Sequence, residues 1–183
     1  MNTLTRLTLS LAALLMIAMW AGCSTSPESA EGKATLEQES AAAIESFKAK
    51  DPGLQRFFDS AAGYAVFPNV GKGGAGVGGA YGKGVLYERG VPVGYCDLKQ
   101  ATIGLQLGGQ AYSELIFFQN ADALQQFKSG NFAFSAQASA VAATAGAATT
   151  ADYDSGVLVF TLPKGGLMYE ASIGGQKFDY DPR

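Results

Sequence analysis

The sequence predicts an α+β fold: N-terminal helices packed on a strongly curved, mainly antiparallel, Gly-rich β-sheet that approaches a barrel. Three observations predict it. Leu36, Ala43, Ile44 and Phe47 form an apolar stripe at helical spacing. From Tyr64 onward the pattern turns to alternation, clearest where Ile103, Leu105 and Leu107 interleave with Thr102, Gly104 and Gln106. Between these regions, "NVGKGGAGVGGAYGKG" (Asn69–Gly84) places Gly or Ala at every even position from Gly74 to Gly84. Side chains alternate faces along a strand, so one face is nearly bare. A bare face admits a second backbone at close range or lets the sheet coil.

The 183 residues, 48% of them hydrophobic, suffice for one domain with a sizeable core. Residues 1–22 stand apart. Arg6 supplies a positive start, an apolar run extends from Leu7 to Trp20, and small residues precede Cys23. That arrangement reads as a secretory signal, and the run is short for a membrane-spanning helix. The Ala21-Gly22-Cys23 ending resembles the lipobox of bacterial lipoproteins, although Trp20 stands where an aliphatic residue is usual. The resemblance implies acylation of Cys23. Ser24 rather than Asp after it implies sorting to the outer membrane.

Residues 23–33 are small and polar with Pro27 and Gly32, and read as a flexible tether. A single domain is expected over residues 34–183. Thr35–Gln38 fits a capping box, opening a helix over about 34–49. Asp51-Pro52 fits an N-cap with proline in the first turn of a short second helix carrying Leu54, Phe57 and Phe58. "YAVFP" (Tyr64–Pro68) is a short strand, and Glu88-Arg89-Gly90 a hairpin turn. Gly108-Gly109 suggests a bulge or bend. Asn120 caps a helix through Leu124 and Phe127 that stops near Gly130. Residues 132–151 are divided: helix propensity favours a helix, while Phe132, Phe134 and Gly146 favour a strand or irregular chain. Two or three strands close the chain around Pro163–Gly166 and Gly174-Gly175.

The glycine stretch contains G-x-G-x-x-G twice, from Gly71 and from Gly74. A dinucleotide fingerprint needs a helix after the glycines, and none can start in the glycines that follow Gly76. A P-loop fails too, because Gly73 and Gly84 follow Lys72 and Lys83 where Ser or Thr is required. The chain has no histidine, so histidine-based triads and histidine-ligated metal sites are excluded. Cys96, in an apolar strand, reads as a core residue. "DYDSG" (Asp152–Gly156) and "DYDP" (Asp179–Pro182) read as turns rather than calcium loops. No metal, cofactor or enzymatic activity is expected. A net charge of −3 argues against a nucleic-acid partner.

Lys72, Lys83, Arg89 and Lys99 nevertheless cluster in the strand region, with Tyr81 and Tyr95 among them. A cationic, aromatic surface suits anionic lipid headgroups. The same residues fit an ordinary solvated sheet, and composition does not separate the two readings.

"AAGYAVFPNVGKGGAGVGGAYGKGVLY", "GLQLGGQAYSELIFFQNADALQQF" and "KGGLMYEASIGGQKFDYD" together resemble the SYLF domain family, across roughly Leu36–Tyr180. The resemblance implies a lipid-binding module, with preference for phosphoinositides or other acidic lipids in eukaryotic relatives, some of which bundle actin. A secreted bacterial protein meets no host actin by default, so that activity is not carried over. Ala62 precedes Gly63 where a basic residue is frequent. "GYCDLK" replaces a tryptophan-containing segment, giving Tyr95 the aromatic role. The expectation is a non-enzymatic envelope lipoprotein that binds acidic phospholipid headgroups. The alternative is a structural or protein-interaction lipoprotein without a specific lipid.

Overall fold

The computed structural model describes residues 26–130, 132, 140–165 and 175–183, with backbone alone at 75–77, 102–108 and 165. Residues 1–25, with the signal segment and Cys23, lie outside the described residues. So do Phe134, Gly166 and Gly174.

Helix α1 spans Ala30–Lys50. It starts four residues before the predicted helix because Ser29, not Thr35, is the cap: its Oγ accepts from the Gly32 N–H at 3.0 Å. The predicted tether is thus shorter than residues 23–33, and Ser26 is already only 5% exposed. Asp51 then caps a 3₁₀ turn, Pro52–Leu54, which leads into α2, Gln55–Ser60, as expected.

The short strand expected at Tyr64–Pro68 and the glycine stretch read as a strand run together into one very long strand, and a second forms beside it. β1 spans Gly63–Glu88 and β2 spans Val91–Phe118, paired antiparallel along their length. The predicted turn joins them, with Arg89 at φ 50° and Gly90 at φ 77°. Two successive left-handed residues match the twist of a tight hairpin. Glycines and Pro68 do not end β1. Register shifts at Phe67/Val70, Ala75/Val77 and Leu86/Tyr87 absorb them instead. The predicted irregularity at Gly108-Gly109 is absent: they pair in register with Gly74 and Gly73.

Helix α3, Ala121–Lys128, is capped by Asn120 as predicted. The divided segment gives a two-residue strand β3, Val141–Ala142, and one helical turn, α4, Ala147–Thr150. Asp152–Gly156 forms a turn, with Ser155 and Gly156 at positive φ. β4 spans Val157–Gly165 and β5 spans Gln176–Pro182. Asp179–Pro182 is therefore strand, not the expected turn. It pairs with Gly94–Asp97 of β2, a long-range contact that local composition does not reveal.

The sheet order is β1-β2-β4-β3, with β5 also on β2. It is open and mainly antiparallel; among the described strands only β3 runs parallel to its neighbour, β4. β1 doubles back on itself. A Cβ on Gly84 would lie 2.6 Å from the Val66 carbonyl oxygen, and one on Gly82 would lie 2.9 Å from that of Asn69. The Tyr64 and Tyr87 rings stack between the two limbs, centroids 5.1 Å apart. One face of the curled sheet packs Val66, Val85, Leu115, Phe117 and Phe160 beneath Leu36, Ile44 and Phe47 of α1 and Phe57 of α2. The other packs Phe67, Cys96, Leu98, Ile116, Phe118 and Phe178 against Leu124 and Phe127 of α3. Full burial of one such phenylalanine contributes roughly 2–3 kcal/mol. Among the described residues no helix is long and apolar enough to cross a membrane.

Candidate functional site

The hairpin register brings three of the six predicted site residues together. Tyr81 lies opposite Lys99, and Lys83 opposite Asp97. On the far edge of β2, Asp97 lies opposite Asp179 and Lys99 opposite Lys177. Directly opposed residues share a face, as do residues two apart. The result is two adjacent rungs on one face, Tyr81–Lys99–Lys177 and Lys83–Asp97–Asp179.

Asp97 is covered from solvent and anchors the rungs. Its carboxylate is 3.5 Å from Lys83 Nζ and 3.9 Å from Lys99 Nζ. Burial pushes its pKa up, while Lys83 and Lys99 pull it back. Lys99 Nζ also donates to Asp179 Oδ2 at 2.6 Å, which raises its own pKa. The upper part of the face is open: Tyr81 is 46% exposed, and Lys177 is exposed. Beside Lys83 a groove of about 520 Å³ runs between β1 and the start of α1, with Glu31 and Glu39 along its helical side.

The other predicted residues are placed elsewhere. Arg89 is exposed at the hairpin turn beside Val91, roughly 25 Å along the strand from Tyr81. Tyr95 is buried beneath α1, where its hydroxyl donates to Glu37 Oε1 at 2.8 Å. The Lys33 ammonium covers its ring at 5.1 Å. Tyr95 thus anchors the helix to the sheet and offers no surface to a headgroup, correcting the aromatic role expected of it. Lys72 is also buried, on the face turned toward α3. Lys72 was misplaced because alternation does not tell which face a curled sheet turns inward, and Tyr95, on the same face as Asp97 and Lys99, because alternation does not tell how far α1 covers that face. Sequence reasoning missed Lys177. Its alternation with Gln176 and Phe178 is readable, but its partner strand is not.

Lys72 belongs to an interior polar cluster. Glu114 is fully buried and its Oε2 accepts from Gln176 Nε2 at 3.0 Å. Among the described residues its Oε1 has no hydrogen-bond partner. Burial raises the Glu114 pKa to about 8, opposed by the Gln176 hydrogen bond and the Lys72 charge. An unfolded glutamate ionises near its ordinary value of about 4.3, so between the two values the folded state binds more protons. Stability should then fall as pH rises through this range and level off above the folded value. The advantage of Glu114→Gln over the parent should be smallest near pH 4 and larger by a few kcal/mol near pH 9. Urea unfolding at both pH values tests this; a constant difference would contradict the assignment.

Cys96 is fully buried, and burial raises its thiol pKa well above the ordinary value, as suits an inert core residue. Among the described residues no group of three or more acidic or cysteine side chains is placed to hold a metal.

The described residues thus form a charged and aromatic sheet face bordered by a groove. Residues 99–182 match the family model Ysc84, described as "Las17-binding protein actin regulator". This match falls within the stretch whose motifs resemble the SYLF domain family. A relative, Beta cell expansion factor A of Aeromonas veronii, is 27% identical over 133 residues, covering 72% of this chain and 51% of that protein. The chain spans about half the length of this relative.

Proposed function

We propose that the protein is a non-enzymatic lipid-binding module of a bacterial envelope lipoprotein, acylated at Cys23 and held at the outer membrane. Its Tyr81–Lys83–Lys99–Lys177 face binds acidic phospholipid headgroups. The observation that carries this reading is the convergence of three lysines and an exposed tyrosine on adjacent rungs of one face.

The carboxylates on the face do not oppose the reading. Lys99 and Asp179 are both about half exposed, and such a pair contributes about 0–1 kcal/mol. Exchanging Asp179 for a lipid phosphate therefore costs little. Asp97, beneath the surface, positions Lys83 and Lys99 without presenting its charge. Tyrosine at the rim suits an interface with one wet side.

The test is co-flotation of the chain from Ser24 onward with vesicles rich in phosphatidylglycerol. Lys177→Glu reverses an exposed charge without unpairing Asp97. At about 1 kcal/mol per basic residue near an anionic surface, the reversal should weaken binding tenfold or more. Arg89→Gln should change it less than about twofold, because Arg89 lies far from the face. The opposite ranking would move the site to the hairpin turn.

A further inference from the structure

We infer that this face binds headgroups of the same leaflet that holds the protein's own acyl anchor, rather than those of a second membrane. The inference rests on the lipid-binding reading above. It starts from the point at which the chain becomes fixed. Ser26 is buried and Ser29 caps α1. Pro27 and Ser29 form one wall of the groove whose other side includes Pro68, Asn69 and Lys83. The chain therefore joins the folded domain at the edge of the lysine face.

Cys23 is three residues before Ser26. Consecutive Cα atoms are 3.8 Å apart, so the two lie within about 11 Å whatever the conformation between them. The polar zone on each side of a bilayer is roughly 5–8 Å deep. An acylated Cys23 at its inner boundary brings the groove edge to the level of the headgroups. Lys83 is on that edge, and Tyr81 is two residues along the same strand face, about 7 Å further. A free tether over residues 24–33 would reach about 35 Å, enough to turn the face toward another surface. The observed attachment removes most of that freedom. Glu31 and Glu39 on the helical wall repel an anion from the groove itself, which leaves the outer row of Tyr81, Lys99 and Lys177 for the headgroups.

The experiment uses the acylated full-length product reconstituted in phosphatidylglycerol–phosphatidylcholine vesicles. Trp20 is the only tryptophan in the chain and lies in the signal, so Tyr81→Trp gives the mature protein a single reporter on the face. Lys177→Trp serves as a second reporter at an exposed position. A headgroup-labelled quencher lipid is placed either in the same vesicles or in separate vesicles added later. Quenching should be severalfold stronger in the same-vesicle arm. A Gly/Ser insertion of about twenty residues after Thr25, spanning roughly 25 Å, should remove most of that advantage. Quenching confined to the added vesicles would overturn the inference, as would an unmodified Cys23 by mass spectrometry. Absence of quenching in both arms would overturn it too, provided the acyl-free chain still floats with anionic vesicles. If the acyl-free chain does not float, the lipid-binding reading fails instead.

Discussion

Gly84→Ala should destabilise the protein by about 3 kcal/mol or more, although it adds a single methyl group. The added Cβ would lie 2.6 Å from both the Val66 carbonyl oxygen and Phe67 Cδ1. The oxygen belongs to backbone already held in the β1–β2 ladder, where Val66 pairs with Leu115. It cannot swing aside as the end of a flexible side chain would. The two limbs of β1 must separate, which also disturbs the stacked Tyr64 and Tyr87 rings; overpacking of this kind typically costs 1–3 kcal/mol and sometimes more. Gly71→Ala is the control. A Cβ there meets nothing within 4 Å, so the change should stay within about 1 kcal/mol of the parent. Denaturant unfolding of the pair measures the difference. Equal stability would mean that the doubled-back strand does not require a bare position at Gly84.

Asp51→Ala should cost a similar amount, about 3 kcal/mol. Asp51 is buried and joins three segments: Oδ1 accepts from Gly53 N at 3.1 Å, and Oδ2 from Ala148 N at 2.7 Å. The second bond reaches across 97 residues and pins α4 against the α1–α2 corner. Removing the carboxylate leaves a buried amide unsatisfied, which costs about 1–3 kcal/mol beyond the cap itself. The Ala148 hydrogen bond is also the main reason the Asp51 pKa is lowered, against the opposing effect of burial. Its stabilising contribution is fully present above the ordinary aspartate value of about 3.9. It is lost as pH falls through the lower folded value. The gap in melting temperature between parent and Asp51→Ala should therefore be wide near pH 6 and narrow as pH falls well below the ordinary aspartate value. A gap independent of pH would assign the loss to packing rather than to the carboxylate.

The helical part of the fold was largely legible, because Leu36, Ile44 and Phe47 repeat at helical spacing and Asp51-Pro52 and Asn120 are local caps. The start of α1 was not: two plausible caps compete, and packing of Ser26 and Pro27 against the domain favours Ser29. In the sheet, Pro68 looked like the end of a short strand, and the glycine stretch after it like a second strand. Register shifts let one long strand run through them, and pairing with an equally long β2 holds it together. The glycine periodicity pointed correctly to close backbone approach at Gly82 and Gly84, while Gly71 has no packing reason to be glycine. The core of the site was only half readable: a turn at Arg89-Gly90 alone would set Tyr81 opposite Leu98 and Lys83 opposite Cys96, and the one-residue register shift at Leu86/Tyr87 is what brings Tyr81 to Lys99 and Lys83 to Asp97. The remainder depended on which face curls inward, which buries Lys72, on how far α1 covers the site's own face, which buries Tyr95, and on β5 docking beside β2, which supplies Lys177.

The central claim is that the lysine–tyrosine face holds acidic headgroups, and equilibrium flotation of the acyl-free chain tests it most directly. Binding should rise with the phosphatidylglycerol fraction of the vesicles and fall as salt shortens the screening length from about 30 Å at 0.01 M to 3 Å at 1 M. No flotation at any lipid composition, or equal salt-indifferent binding to neutral vesicles, would contradict it.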